Sequence, residues 1–137
     1  MARRYLLDTN IVSHMFRKNP TVLYHLGQIP FPQIAISAVT EGELLFGIAR
    51  RPEATRLKLV IEEFLVRVAI LPWDSDAARH YAKLRAEIER EGRPMGSLDM
   101  MIAAQALSAV AVLVTNDKAF SHIRQLKIED WTRGPQK

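Results

Sequence analysis

The stretch Arg4-Tyr5-Leu6-Leu7-Asp8-Thr9-Asn10 decides how the rest of the chain is read. Tyr5-Leu6-Leu7 is an uninterrupted apolar run, the pattern of a strand buried on both faces of a parallel sheet, and Asp8 ends it abruptly. A carboxylate at the carboxyl end of a central strand sits where open α/β sheets place their ligands. Thr9 or Asn10 can cap the helix that follows. Asp8 could equally be no more than a cap, and this segment alone does not separate the two readings.

Working outward, Ile11 to Lys18 reads as a short helix stopped at Asn19-Pro20. Thr21 opens another helix that runs to Gly27. Pro30 and Pro32 mark a loop before a second strand, Gln33-Ile34-Ala35-Ile36. Ser37 then caps a helix with Val39, Leu44, Leu45 and Ile48 available for the core. Glu43 lies off that stripe, with Gly47 one turn on leaving space beside its carboxylate. Thr40 and Glu43 also fit a capping box, which would give Glu43 a purely structural job. A helix over 53–67 leads to a third strand, Val68 to Leu71. After Pro72, Asp74 or Ser75 caps a long amphipathic helix ending near Glu91. Asp74 has a second reading as outer support for a metal site.

The loop Gly92-Arg93-Pro94-Met95-Gly96 breaks the long helix, and Arg90 and Arg93 flank it as candidate phosphate contacts. Ser97 is a natural cap for the next helix, which carries Asp99 in its first turn and an almost wholly apolar body from Met100 to Leu107. Such a helix is central and buried, and its start opens toward the ligand edge of the sheet. Val110 to Val114 reads as the most strongly apolar strand. It runs into Thr115-Asn116-Asp117, a second strand-terminal carboxylate with a hydroxyl and an amide beside it. A short helix over Lys118 to Ile123 and an edge strand, Ile128 to Trp131, complete the pattern.

Strands alternating with helices predict an α/β fold, an α/β/α sandwich around a central, mainly parallel sheet. At 137 residues the expectation is one domain over residues 1–133 with a flexible tail over 134–137. The 48% hydrophobic share is that of a globular protein, and no run approaches the roughly 18 apolar residues of a membrane span. With no signal-peptide pattern either, a cytoplasmic location is expected. The absence of cysteine excludes disulfides, thiolate metal sites and cysteine nucleophiles, so any metal would be held by oxygen or imidazole.

Asp8 and Asp117 leave the carboxyl ends of two strands, and Glu43 and Asp99 come from helix segments near the same edge. Clustered carboxylates raise one another's pKa unless a positive charge sits among them. A hard divalent cation, magnesium or manganese, is the physical remedy. With a net charge of +4, gathering four acids into one pocket leaves +8 on the rest of the chain. A negative pocket in a positive surround suits phosphodiester hydrolysis by a metal-activated water.

These segments resemble a known family. Leu6 to Asn10, Ile36 to Thr40 with Glu43-Leu44 and Gly47, Asp99 with Ile102-Ala103, and Val114 to Asp117 are similar to the ordered motifs of PIN-domain ribonucleases. Over nearly the whole chain the likeness is to the VapC toxins of type II toxin–antitoxin pairs. The resemblance implies that Asp8, Glu43, Asp99 and Asp117 form a catalytic acidic site, with Asp8, Asp99 and Asp117 on the metal and Thr115 or Asn116 as polar support. It also implies a homodimer, and a VapB-type antitoxin whose C-terminal segment covers the active-site groove in a hetero-oligomer. Gly92-Arg93-Pro94 with Gly96, and Glu129-Asp130-Trp131, are similar to the VapC subgroup that cuts initiator tRNA in its anticodon loop. A loop is also the RNA form whose unstacked nucleotides can enter a narrow acidic pocket.

Three other functions compete. A metal-dependent phosphatase of the haloacid-dehalogenase kind would also start from a strand-terminal Asp, but it needs a second acid where Asn10 stands. A non-catalytic RNA-binding module would use the basic surface alone, with binding indifferent to chelator. A metal-free ribonuclease needs a histidine pair or a His/Lys couple, and His14, His25, His80 and His122 show no such arrangement in the sequence.

Overall fold

In a computed structural model, which describes residues 3–134, the five apolar runs become five parallel strands of one sheet. They are β1 (Tyr5–Leu7), β2 (Ile34–Ser37), β3 (Ala69–Leu71), β4 (Val112–Val114) and β5 (Ile128–Glu129). Their spatial order is β3-β2-β1-β4-β5, every pair parallel. The chain therefore builds outward from β1 to one side, crosses back, and continues on the other. The reversal falls between β1 and β4, the switch point at which open sheets leave a crevice beyond their carboxyl ends.

Six helices supply the crossovers: α1 (Thr9–Phe16), α2 (Pro20–Gly27), α3 (Ala38–Arg50), α4 (Thr55–Arg67), α5 (Ser75–Arg90) and α6 (Ser97–Ala109). The period-2 geometry of the strands sorts the core into two layers. Tyr5, Leu7, Ile34, Ile36, Val112 and Val114 face Ile11, Val12, Val22, Leu44, Ile61 and Phe64 on one side. The residues between them, Leu6, Ala35 and Leu113, face Leu84, Ile88, Met100, Ile102, Ala103 and Ala106 of α5 and α6 on the other. This two-sided burial is why the strands read as continuous apolar runs. No helix among the described residues is long and apolar enough to cross a membrane.

Several element ends differ from the sequence reading, each for a local reason. Of the caps the sequence allowed for α1, it is Asp8 and not Thr9 or Asn10 that serves, through its side chain. Asn19 rather than Thr21 caps α2, accepting from the Thr21 and Val22 N–H groups at 3.0 and 3.2 Å, with Pro20 in the first turn where its missing N–H costs nothing. The α6 helix starts at Ser97 after Gly96, with no side-chain cap. Val110 is not in β4: it ends α6 in the left-handed region at φ 51° and stands 89% exposed. β5 stops at Glu129, and Trp131 beyond it is buried against Tyr5 and stacked on His25. Of the expected tail, residues 135–137 lie outside the described residues.

Candidate active site

Hydrogen bonding at the ends of β1 and β4 fixes the centre of the site. The Asp8 N–H continues the ladder to the Val114 carbonyl at 2.9 Å, so the two strand ends stay level. Asp8 is 3% exposed, and its two oxygens take different partners. Oδ1 accepts the Thr9 N–H at 2.8 Å, the capping bond, and Oδ2 accepts the Thr115 hydroxyl at 2.8 Å. Capping and siting are thus not alternatives for this residue. The Thr115 hydroxyl in turn accepts the Asp117 N–H at 3.1 Å, and the Asp117 Oδ1 accepts the Ala119 N–H at 2.9 Å, capping the 3₁₀ turn Lys118–His122.

On the other flank, Ser37 caps α3 by accepting the Val39 N–H, which leaves Thr40 and Glu43 free of any capping box. The Thr9 hydroxyl donates to the Glu43 Oε1 at 2.7 Å. It has one proton, so across the 3.0 Å contact with Thr40 it is the buried Thr40 hydroxyl that donates. Hydrogen bonds therefore run from Asp117 through Thr115 to Asp8, and from Thr40 through Thr9 to Glu43, with Asp8 and Thr9 adjacent in sequence.

Asp99, half-buried in the first turn of α6, completes the group through charge rather than hydrogen bonding. Burial raises its pKa above the ordinary carboxylate value, and the neighbouring Asp117 and Glu43 carboxylates push it further the same way. The Asp8 carboxyl is pushed up to about 6, mainly by burial; its Thr115 and Thr9 hydrogen bonds offset part of this, and repulsion from Asp99 and Asp117 adds to it. All four acids thus share one electrostatic neighbourhood. Among the described residues, no Lys, Arg or His forms an ion pair with any of them.

The donor set fits a hard cation that keeps much of its water. Among the described residues no three acid or histidine side chains, as they stand, are grouped closely enough to hold a metal ion together, so the fit is to an ion on one or two carboxylates. Magnesium is characteristically held by one or two carboxylates with waters filling the octahedron, and manganese shares its preference for oxygen donors.

The remaining sequence-picked residues separate clearly. Asn116 is exposed beside Asp117. Asp74 caps α5 by accepting the Ala77 N–H at 3.1 Å. Arg90 is exposed on the last turn of α5. The Arg93 head is turned into the protein instead, donating to the His122 carbonyl at 3.2 Å and pairing with Glu91 at 2.5 Å. The histidines lie apart from the acids: His14 contacts Arg17, His25 stacks on Trp131, and His80 bonds within α5. Sequence reasoning gave Thr9 and Thr40 only capping roles; their positions beside Asp8 and three residues before Glu43 were the available signal.

A parallel sheet whose switch point gathers acids from the ends of β1 and β4 and from α3 and α6 is the architecture of the PIN domain, and the PIN-domain family profile matches residues 5–126. The chain is 35% identical over 130 residues to a tRNA(fMet)-specific endonuclease VapC of Shigella flexneri, spanning 94% of this chain and 98% of the relative. It is 32% identical over 129 residues to a ribonuclease VapC2 of Haemophilus influenzae, spanning 93% and 98%. Among solved structures, DNA-bound VapBC from Salmonella typhimurium superposes with a TM-score of 0.87 at 34% identity, covering 95% of this chain and 99% of that one. The chain belongs to the VapC family of PIN-domain proteins.

Proposed function

We propose that this protein is the toxin of a type II toxin–antitoxin pair, a cytoplasmic endoribonuclease that hydrolyses RNA phosphodiester bonds with Mg²⁺, for which Mn²⁺ can substitute. One observation carries the reading: four acids gather at the switch point with no cationic side chain among the described residues paired to them, and burial and repulsion hold Asp8 and Asp99 above the ordinary carboxylate range. The ion would be held by one or two of Asp8, Asp99 and Asp117, with waters completing its shell. When bound, it supplies a Lewis acid that makes a water nucleophilic at neutral pH and shields charge developing on the phosphate.

The chain's own groups do the positioning. Thr115 fixes Asp8 against Asp117, and Thr9, itself oriented by Thr40, aims the Glu43 carboxylate. With Oε1 engaged by Thr9, the Glu43 Oε2 is left to accept a proton from the attacking water. Arg90 is the proposed phosphate contact outside the acidic pocket, where the basic remainder of the chain offsets the charge of the RNA.

The relatives from Shigella flexneri and Salmonella typhimurium are named as tRNA(fMet)-specific endonucleases, which supports an initiator tRNA anticodon loop as the target. A VapB-type antitoxin and a second copy of the chain are the proposed partners. Solved VapBC complexes support the first, and exposed apolar residues on α3 and α4, among them Phe46 at 62%, Leu59 at 67% and Val66 at 82%, support a partner-covered face.

The test is expression with and without a cognate VapB-type antitoxin, followed by mapping of new RNA 5′ and 3′ ends. Purified protein is then assayed with Mg²⁺ and with chelator. Growth arrest relieved by the antitoxin, with chelator-sensitive cleavage lost in Asp99→Asn, is the expected result. Cleavage that survives chelator, or full activity in Asp99→Asn, overturns the reading, and RNA binding without cleavage would favour a binding module instead.

A further inference from the structure

The short loop between α5 and α6 and the 3₁₀ turn after β4 face each other across a cavity of about 210 Å³ lined by Arg93, Pro94, Met95, Ala119, His122 and Ile123. Each segment carries one acid of the site at its end. The loop feeds directly into the first turn of α6 and Asp99, while Asp117 caps the turn. The spacing of the two segments therefore sets the spacing of the two acids.

Phe120 and Ile123 anchor the turn in the core and Met95 packs against the same layer; beside this packing an arginine spans the gap. From the loop, the Arg93 guanidinium donates to the His122 carbonyl at 3.2 Å, at the far end of the turn. Its other amino group is held by Glu91 at 2.5 Å, so the fork is braced from behind. The Arg93 Nε is fully buried, and the side chain as a whole is 29% exposed. An arginine making phosphate contacts keeps its head in solvent, free to reach the backbone of a passing strand. This one is half-buried and engaged at both amino groups, although it stands in the same loop as the exposed Pro94 and Gly96.

We propose that Arg93 is a positioning residue: its guanidinium ties the α5–α6 loop to the His122 carbonyl and thereby sets the separation of Asp99 and Asp117. The proposal rests on the acidic-site reading above and gives the Gly92-to-Gly96 loop a task within it. Arg93 acts on the spacing of two carboxylates and touches no substrate.

The experiment compares wild type, Arg93→Ala, Arg93→Lys and Arg90→Ala as full-length protein. Mn²⁺ affinity without RNA is read by calorimetric titration, and kcat and KM on the mapped RNA by cleavage. RNA affinity against salt is measured in chelator, and amide hydrogen exchange over residues 92–96 and 118–122 by mass spectrometry. Loss of an outer support of a metal site typically weakens metal binding by about 10- to 100-fold. Arg93→Ala is expected to weaken Mn²⁺ binding by that order and to lower kcat with KM for RNA unchanged. Its salt slope stays that of wild type, and exchange accelerates in both segments. Arg93→Lys, which keeps the charge but not the fork, falls between and serves as the test if the alanine variant fails to fold. Arg90→Ala shows the opposite split, a flatter salt slope with Mn²⁺ affinity retained.

An Arg93 variant with wild-type Mn²⁺ affinity and a flattened salt slope overturns the proposal and makes Arg93 a phosphate contact. If wild type itself binds no Mn²⁺, the metal reading has failed on its own. Exchange then still decides the tether: faster exchange in both segments supports it, and unchanged exchange removes it.

Discussion

Replacing Asp8 by asparagine should make the metal-free protein more stable at neutral pH while removing its activity. The Asp8 carboxyl is raised from an ordinary 3.8 to about 6 in the folded chain, so the folded state holds its proton more tightly than the unfolded one. Below pH 3.8 the group is protonated in both states and contributes no penalty. As pH rises toward 6 stability falls, and above that the full cost of a buried charge is present, about 3 kcal/mol at roughly 1.4 kcal/mol per pH unit. Asparagine is neutral throughout. Its oxygen can still accept the Thr9 N–H, but its amide cannot accept the Thr115 hydroxyl, a loss of about 1 kcal/mol.

The expected net gain for Asp8→Asn at pH 7.5 is therefore about 2 kcal/mol, which for a chain of this size raises Tm by roughly 6 °C. Urea and thermal unfolding in chelator between pH 4 and 8 measure it, with the advantage shrinking below pH 6 and reversing near pH 4. Adding Mn²⁺ should invert the neutral-pH ranking. A ligand at 100 times its Kd stabilises by about 2.7 kcal/mol, and only wild type retains the carboxylate that would bind it. Asp8→Asn less stable than wild type in chelator at pH 7.5, or an advantage equal at pH 4.5 and 7.5, would refute the view that Asp8 is held charged at a cost which a cation offsets.

Other expectations follow from the same geometry. Since a cation must displace the proton from Asp8, apparent Mn²⁺ affinity should fall by up to tenfold per pH unit below about 6, measured by titration from pH 5 to 8. Thr9→Val removes the donor that aims Glu43 while keeping its shape; cleavage should fall by about 10- to 100-fold with the melting temperature little changed, and Thr9→Ser should restore most of it. Val110, β-branched at φ 51° and almost fully exposed, is strained: Val110→Gly should stabilise the chain by about 1 kcal/mol in urea titrations without touching cleavage.

What the sequence made legible were features whose cause is local or periodic. Tyr5-Leu6-Leu7 and Val112-Leu113-Val114 read as buried strands because residues of both parities are buried, and Asp8 and Asp117 stood out because a charge interrupts each run. Val110 was drawn into β4 for the same reason: it is as apolar as its neighbours, and nothing in its side chain reveals that the preceding helix ends on it in the left-handed region. Long-range hydrogen bonds were out of reach. Glu43 is 34 residues from Thr9, and Asp8 is 107 from Thr115, so Thr9 shows only as a capping residue, and Thr115 as support of unspecified partner, until the sheet brings them to the acids.

That distinction bears on how the acidic site survives folding. Its carboxylates come from four separate elements and repel, so no pair of them favours assembly in the apo chain. Assembly is driven by what lies beneath: two apolar layers sorted by strand parity, and the Gln105 amide, buried in α6, accepting the Ser37 hydroxyl at 2.9 Å and donating to the Pro72 carbonyl at 3.3 Å. Ser37 also caps α3, the helix that carries Glu43, so one buried contact sets the start of that helix against α6, which carries Asp99. Removing it is therefore a different experiment from removing an acid. Gln105→Leu leaves the buried Ser37 hydroxyl proton without an acceptor and should cost about 1 to 3 kcal/mol in urea titrations, whereas neutralising an acid should stabilise the apo protein. If Gln105→Leu and Asp8→Asn shifted stability in the same direction in chelator at pH 7.5, the division between a scaffold that drives folding and a site that opposes it would be wrong.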